Sequence, residues 1–233
     1  MTDSSSGVTA VICTLNEEAT LPEVIDSVRP FVDVVMVMDG HSTDRTPEIA
    51  REKGVRYELD NRRGKGAAIR QAIDTVETAV VVFIDADGSH VAEDIPKLVA
   101  PLLADEADLV IGCRMRGGSD ELAGDWSGFV RLTGQNLLML LVNWRFGTHL
   151  TDMQNGFRAG RVEALRALGL KENITTIEQE MTIKALKHRL RVVNVPSHEY
   201  RRAAGRSKIP VLRWSFWYVW VVIREMCGRR RRA

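Results

Sequence analysis

Five consecutive apolar residues, Val80-Val81-Val82-Phe83-Ile84, run directly into Asp85-Ala86-Asp87. The run is too short for a typical helix and lacks the polar alternation of a strand with one wet face. It predicts a strand covered on both faces, as in a parallel sheet. Parallel neighbours need long crossovers, so helices must separate the strands. The chain has that alternation. Val8–Cys13 reads as a strand, and a helix through Val28 follows, opened by the capping-box spacing Thr20-x-x-Glu23 with Pro22 in its first turn. Val32–Met38 reads as a second strand and Val55–Leu59 as a third, separated by a helix that Thr46 caps and Pro47 begins. Gly66–Val76 reads as a helix, with apolar residues at Ala68, Ile69, Ala72, Ile73 and Val76. After the valine run come a helix over Ile95–Leu103 and a strand over Leu109–Cys113. The pattern predicts an α/β layer fold with a mostly parallel central sheet and right-handed crossovers. Ligands of such sheets bind beyond the carboxyl ends of the strands.

The second half is less regular. Arg114–Asp125, rich in glycine and charge, reads as a mobile loop. Phe129–Val142, Arg161–Leu168 and Thr176–His188 read as helices, and Val192–Val195 as a short strand. No repeat or linker divides the chain, and 233 residues suit one sizeable core. The boundaries expected are a disordered tail over 1–7, a catalytic domain over 8–209 and a C-terminal helix with a basic tail over 210–233. A net charge of +1 points to no nucleic-acid partner. Cys13, Cys113 and Cys227 are scattered, with neither metal-ligand nor disulfide spacing, which fits a reducing cytoplasmic setting. The N-terminus has no signal-peptide pattern. The longest apolar candidate for a span, Val211–Ile223, is too short and contains Arg213.

The chemistry lies at the strand ends. Asp85 and Asp87, with one residue between them, can converge on a hard divalent cation such as Mg or Mn, which prefers oxygen ligands and leaves positions for phosphate. An isolated pair of this kind is more often a solvated acidic turn; the strand before it and the motifs around it favour the metal. Ser89 and His90 follow closely, each readable as a site residue or as a turn or surface residue. Asp39, in Asp39-Gly40-His41-Ser42, can accept hydrogen bonds from a base or ribose or can form an Asx turn. Thr14, Asn16 and Glu17 bring polar groups to the same sheet edge, or form a plain capping loop. Gly64-Lys65-Gly66 precedes a helix without P-loop spacing, and Lys65 is a candidate phosphate contact.

In this order the segments VICTLNEEATLPEVIDSV, MVMDGHSTDRT, GKGAAIRQAI and VVFIDADGSH resemble family-2 inverting glycosyltransferases of the GT-A fold, a Rossmann-like nucleotide-diphospho-sugar transferase fold. DLVIGCRM, LTDMQNGFRA and EMTIKALKHRLRVVNVPSHEYRRAAGRSKI are similar to the polyprenyl-phosphate branch typified by dolichyl-phosphate mannose synthases. The resemblance covers about residues 8–209. It implies a nucleotide-sugar donor, a polyprenyl-phosphate acceptor and a divalent metal. Asp39 would contact the nucleoside, Asp85 the diphosphate and Asp87 the metal. Arg114 and Arg131 would hold the acceptor phosphate, and Arg202 and Lys208 the diphosphate or acceptor. Ser89 stands where family members often have a further glutamine ligand, and it still offers an oxygen. Glu180 aligns with an acidic position of the acceptor region.

A phosphate acceptor is already ionised, so positioning two anions matters more than a strong base, and arginine forks suit that task. The C-terminal segment Trp214-Ser215-Phe216-Trp217-Tyr218-Val219-Trp220 fits the membrane interface, where tryptophan and tyrosine gather. Arg229–Arg232 would attract anionic headgroups. The expectation is an amphipathic helix lying in the interface, on the cytoplasmic face, whose removal with residues 210–233 lowers liposome binding and leaves the fold intact. A core or homodimer-interface helix with a solvated basic tail is the competing reading; Leu137–Val142 is either a second interfacial face or core. The rival functions are transfer to a soluble or glycan hydroxyl, with Asp152 or Glu180 as base, a non-catalytic nucleotide-binding or membrane-scaffolding protein, and a nucleotidyltransferase.

Overall fold

The computed structural model describes residues 7–120, 126–202 and 211–227, with the side chains of 126–132 and 211–215 outside that description. The valine-rich run is β4 (Val80–Asp85), and it is covered on both faces. Val80, Val82 and Ile84 join one apolar cluster with Ala10, Ile12 and Val37. Val81 and Phe83 join another with Val11, Met36 and Met38. Each such side chain stabilises the fold by roughly 1.5–3 kcal/mol over exposure, a gain that a polar residue in the run would forfeit.

Seven strands form one sheet. They are β1 (Val8–Thr14), β2 (Val34–Asp39), β3 (Arg56–Leu59), β4, β5 (Leu109–Cys113), β6 (Arg158–Arg161) and β7 (Val192–Pro196), in the order β3-β2-β1-β4-β6-β5-β7. All neighbours are parallel except β6, which runs antiparallel to both β4 and β5. The helices are α1 (Leu21–Val28), α2 (Thr46–Glu52), α3 (Lys65–Thr75), α4 (Ile95–Leu103), α5 (Arg114–Gly117), α6 (Trp126–Phe146), α7 (Val162–Ala167), α8 (Ile177–Lys187) and α9 (Val211–Cys227). α1, α2 and α4 cover one face of the sheet; α3, α7 and α8 cover the other.

Four local expectations change. The strand β6 was not expected, because Arg158-Ala159-Gly160-Arg161 is not an apolar run. Its Arg158 side chain is nonetheless 1% exposed. The guanidinium donates to the carbonyls of Met153, Asn155 and Glu178, so its polarity is satisfied by backbone and not by water. Thr20 precedes α1 but does not cap it; its hydroxyl donates to the Ala86 carbonyl at 2.6 Å, tying α1 to the turn after β4. Thr46 lies inside α2, and its hydroxyl accepts from the Glu17 amide at 3.2 Å. The segment read as a mobile loop begins with the single turn α5, and Ser119 bridges to Glu199; its residues 121–125 lie outside the described residues. Residues 1–6 of the expected tail also lie outside them.

α6, α8 and α9 share a third cluster built from Met139, Val142, Leu150, Met153, Ile183, Leu186 and Val222. The C-terminal helix is therefore part of the packed unit. Val221 and Val222 are fully buried in it. The opposite surfaces are apolar and open. Leu137, Leu140 and Trp144 of α6 are 60%, 65% and 81% exposed, and Phe216, Trp217, Trp220 and Ile223 of α9 are also exposed. No helix among the described residues is long and apolar enough to cross a membrane.

Candidate active site

Parallel strands end together, so their terminal residues assemble at one edge. Thr14 pairs in register with Asp39 on one side of β1, and Cys13 with Asp85 on the other. Asp39 is wholly buried and accepts from the Ser42 amide and hydroxyl, the latter at 2.6 Å, and from the Tyr57 hydroxyl at 2.7 Å. Burial and the Asp39 carboxylate together raise the Tyr57 pKa above its ordinary value. Asn16 sits in the left-handed region at φ 55°, a conformation that asparagine tolerates better than most residues. Its amide donates to Ser42 and its side-chain oxygen accepts from Thr43, clasping the loops after β1 and β2. The Glu17 amide joins the same clasp through Thr46. Thr14 is 6% exposed, and its hydroxyl has no hydrogen-bond partner among the described residues. A buried unsatisfied hydroxyl is rare and marks a place where a ligand or water can bind.

Asp85 and Asp87 leave β4 with different partners. Asp85 is 2.6 Å from the Lys65 ammonium and 3.7 Å from His90 Nε2. Burial works to raise the Asp85 pKa, but Lys65 and then His90 outweigh it and hold the carboxyl below the usual carboxylate range. The sequence reads His90 as either a site or a surface residue, and the structure buries it. Its side chain is only 3% exposed and stacks on Phe157 with ring centroids 5.2 Å apart. Asp87 accepts from the Ser89 amide at 3.0 Å and the Ser89 hydroxyl at 2.6 Å, and its other oxygen is 3.1 Å from Arg202. The structure thus brings Lys65 to Asp85, and Ser89 and Arg202 to Asp87. Gly156 allows the close approach: a Cβ there would lie 3.0 Å from both Asp85 Oδ2 and Lys65 Nζ.

The acceptor candidates are placed differently. Arg114 is clamped by Asp152, with Nε donating at 2.7 Å and Nη2 at 3.1 Å, and lies 3.5 Å from Glu199. Burial opposes charge on Arg114, yet Asp152 and Glu199 raise its pKa; burial likewise raises Asp152, and Arg114 overrides it downward. Arg131 lies on α6, with its side chain outside the described residues, and Lys208 lies outside them altogether. Glu180 is fully buried: its carboxylate accepts from the Lys171 and Glu172 amides and pairs with Lys184 at 2.7 Å. Both carboxylates suggested as bases for a hydroxyl acceptor are therefore held by other groups.

Sequence reasoning missed Glu178. It is two residues before Glu180, is buried, and lies 3.1 Å from the Lys65 ammonium. Burial raises its pKa against the pull of Lys65 and Arg158. Helical periodicity could not separate the two acids, because every residue from Ile177 to Leu186 on α8 is buried.

Oxygen donors from Asp85, Asp87 and Ser89 lie on one turn, and basic groups already contact both carboxylates. That chemistry fits a hard divalent ion completed by phosphate oxygens. Among the described residues no cluster of three or more His, Cys, Asp or Glu could hold an ion unaided, so water or phosphate oxygens would complete its shell.

The sequence profile described as glycosyl transferase family 2 matches residues 9–169. A dolichyl-phosphate hexose transferase of Haloferax volcanii is 31% identical over 202 residues, covering 85% of each chain. An uncharacterized glycosyltransferase of Mycobacterium bovis is 33% identical over 209 residues, covering 88% of this chain and 91% of its own. Among solved structures, glucosyl-3-phosphoglycerate synthase from Mycobacterium tuberculosis in complex with Mg2+ and uridine diphosphate superposes with a TM-score of 0.75 at 25% identity, over 97% of this chain and 81% of that one. The same enzyme with Mn2+, uridine diphosphate and glucosyl-3-phosphoglycerate gives 0.73. With the strand-end carboxylates and the mostly parallel sheet of a GT-A fold in place, the chain belongs to glycosyl transferase family 2.

Proposed function

We propose that the protein transfers a hexose from a nucleotide sugar, GDP-mannose or a UDP-hexose, to a polyprenyl phosphate with inversion, using Mg or Mn. The observation that carries the lipid acceptor is the pair of packed helices α6 and α9. Both lean on the cluster around Val142 and Val222, and both turn bulky apolar side chains to solvent. Open tryptophan and leucine beside a basic C-terminal run suit peripheral docking on the cytoplasmic face of a membrane. The relative named for dolichyl phosphate supports the same acceptor.

In this reading Thr14, Asn16, Glu17 and Asp39 form the nucleoside end. Asp85 and Asp87, with Ser89 orienting Asp87, hold the metal, which offsets charge on the departing diphosphate. Lys65 and Arg202, already against the two aspartates, close on the diphosphate oxygens. Arg131 and Lys208 meet the acceptor phosphate, while Arg114 is held in place and its charge balanced by Asp152 and Glu199. Attack by an ionised phosphate in a single displacement inverts the anomeric carbon without a strong base. Residues 8–209 form the catalytic part and 210–233 the docking helix and basic tail.

A second reading, a soluble acceptor, is favoured by the solved relative, whose complexes contain phosphoglyceric acid. A donor screen with polyprenyl phosphate and with phosphoglyceric acid, each with and without Mn2+, tests both. Metal-dependent product on the lipid phosphate is expected. Product on the soluble acceptor alone refutes the lipid reading, and turnover unaffected by Asp87→Asn refutes the metal assignment.

A further inference from the structure

Lys65 is shared between two carboxylates. Its ammonium is 2.6 Å from Asp85 and 3.1 Å from Glu178. Of the three groups, Glu178 is the one that solvent and ligands reach least: its side chain is 6% exposed, against 24% for Lys65 and 25% for Asp85. Its position is fixed from the main chain as well. The buried Arg158 guanidinium donates to the Glu178 carbonyl at 2.7 Å and to the Asn155 carbonyl at 2.6 Å, binding α8 to the loop before β6. Gly156, in that loop, leaves the gap into which Asp85 and Lys65 meet. The entry to α3 is equally fixed. The Gly66 amide donates to the Asn173 carbonyl at 2.8 Å, and a Cβ on Gly66 would lie 2.6 Å from the Glu172 and Ile174 carbonyl oxygens. Lys65 thus starts from a rigid turn and ends between two fixed carboxylates.

The charges dictate a consequence. Asp85 and Asp87 together carry two negative charges, one of them offset by Arg202 at 3.1 Å from Asp87; beside Asp85, Lys65 adds one positive charge, and Glu178, which Arg158 also attracts, adds one negative charge. With no Glu178, the lysine would present its full charge to Asp85 and to any cation beside it. We infer that Glu178 is a positioning residue that offsets Lys65, so that the Asp85-Asp87 pair keeps its affinity for a divalent ion while the lysine stays within reach of the diphosphate. This rests on the metal-dependent reading of the site and adds to it a residue that touches neither metal nor sugar.

Mn2+ alone, titrated into the full chain and followed by calorimetry or by the loss of its free-ion resonance, is the probe. Glu178→Gln should weaken Mn2+ binding by about 10–100-fold, the range for partners of metal ligands. Lys65→Gln should tighten it, and the double variant should return toward the wild-type value. A Glu178 that merely packs α8 would not be rescued by removing Lys65. Unchanged binding in Glu178→Gln, or no rescue in the double variant, overturns the inference. If Glu178→Gln fails to fold, Glu178→Asp, which keeps the charge but draws it back from Lys65, takes its place: weaker Mn2+ binding that Lys65→Gln restores supports the inference, and unchanged binding overturns it. A wild-type chain that binds no Mn2+ even with uridine diphosphate present refutes the metal reading itself, and the inference with it; wild-type binding with unresponsive variants refutes only the inference.

Discussion

Replacing Glu180 by alanine removes a carboxylate that solvent does not reach. It leaves the Lys171 and Glu172 amides, bonded to it at 2.8–3.0 Å, without an acceptor, and it leaves the Lys184 ammonium, 2.7 Å away, without its counter-charge. Breaking a buried pair by deleting one member costs about 3–5 kcal/mol, a large share of the roughly 5–15 kcal/mol that holds a domain folded. At about 2–4 °C per kcal/mol for a chain of this size, the melting temperature should fall by roughly 6–20 °C. Glu180→Gln is milder. One amide oxygen can still accept both backbone N–H groups, and Lys184 keeps its bond to the Gly169 carbonyl at 2.6 Å. The cost is then about 1–3 kcal/mol. Calorimetric melting alongside donor turnover per folded molecule separates stability from chemistry. The glutamine variant should melt lower and keep its turnover. A glutamine variant that melts with the wild type but is inactive would show that Glu180 acts in the reaction, and an alanine variant with unchanged melting would refute the packing account.

Ending the chain before α9 should destabilise or aggregate the protein as well as lower its affinity for anionic liposomes. It uncovers the cluster around Val222 and removes the partners of Glu172 and Gln179, namely Trp217, Arg224 and the Tyr218 carbonyl; a truncated chain with wild-type melting would show α9 to be a detachable tether. Because Asp152 has a lowered folded pKa, its contribution to stability is present above the ordinary value of about 3.9 and is lost as pH falls through the lower folded value. Asp152→Asn should therefore lie below the wild type in urea midpoint at pH 7, with the gap closing in acid; a gap independent of pH would refute the assignment. Burial pushes the Cys13 thiol up to about 12, Cys113 is buried and Cys227 is exposed. A thiol reagent at pH 8 should label Cys227 rapidly and the other two slowly, and rapid labelling of Cys13 in the native chain would contradict its placement beside Asp85.

The strand-end half of the site was legible because its signals are local. An apolar run ending in Asp85, a polar turn after a second run ending at Asp39, and a glycine-lysine-glycine turn opening a helix are each contained within a few residues. Parallel pairing then brings their ends together without further information. Arg114 and Glu180 were less legible. Both are charged residues in a plausible order, but whether a charge faces a ligand or another side chain depends on partners 38 residues away in the first case and on loop amides in the second.

Sequence alone determined the mostly parallel sheet, the positions of its first strands along the chain and the edge at which the carboxylates gather, because backbone periodicity and strand direction leave few alternatives. Only the tertiary structure decided that polar Arg158-Ala159-Gly160-Arg161 enters the sheet as an antiparallel strand, that α9 is bonded into the enzyme, and that Glu178 rather than Glu180 stands beside Lys65. A buried charge is stable only where backbone groups or an opposite charge satisfy it, and those partners come from segments distant in the chain.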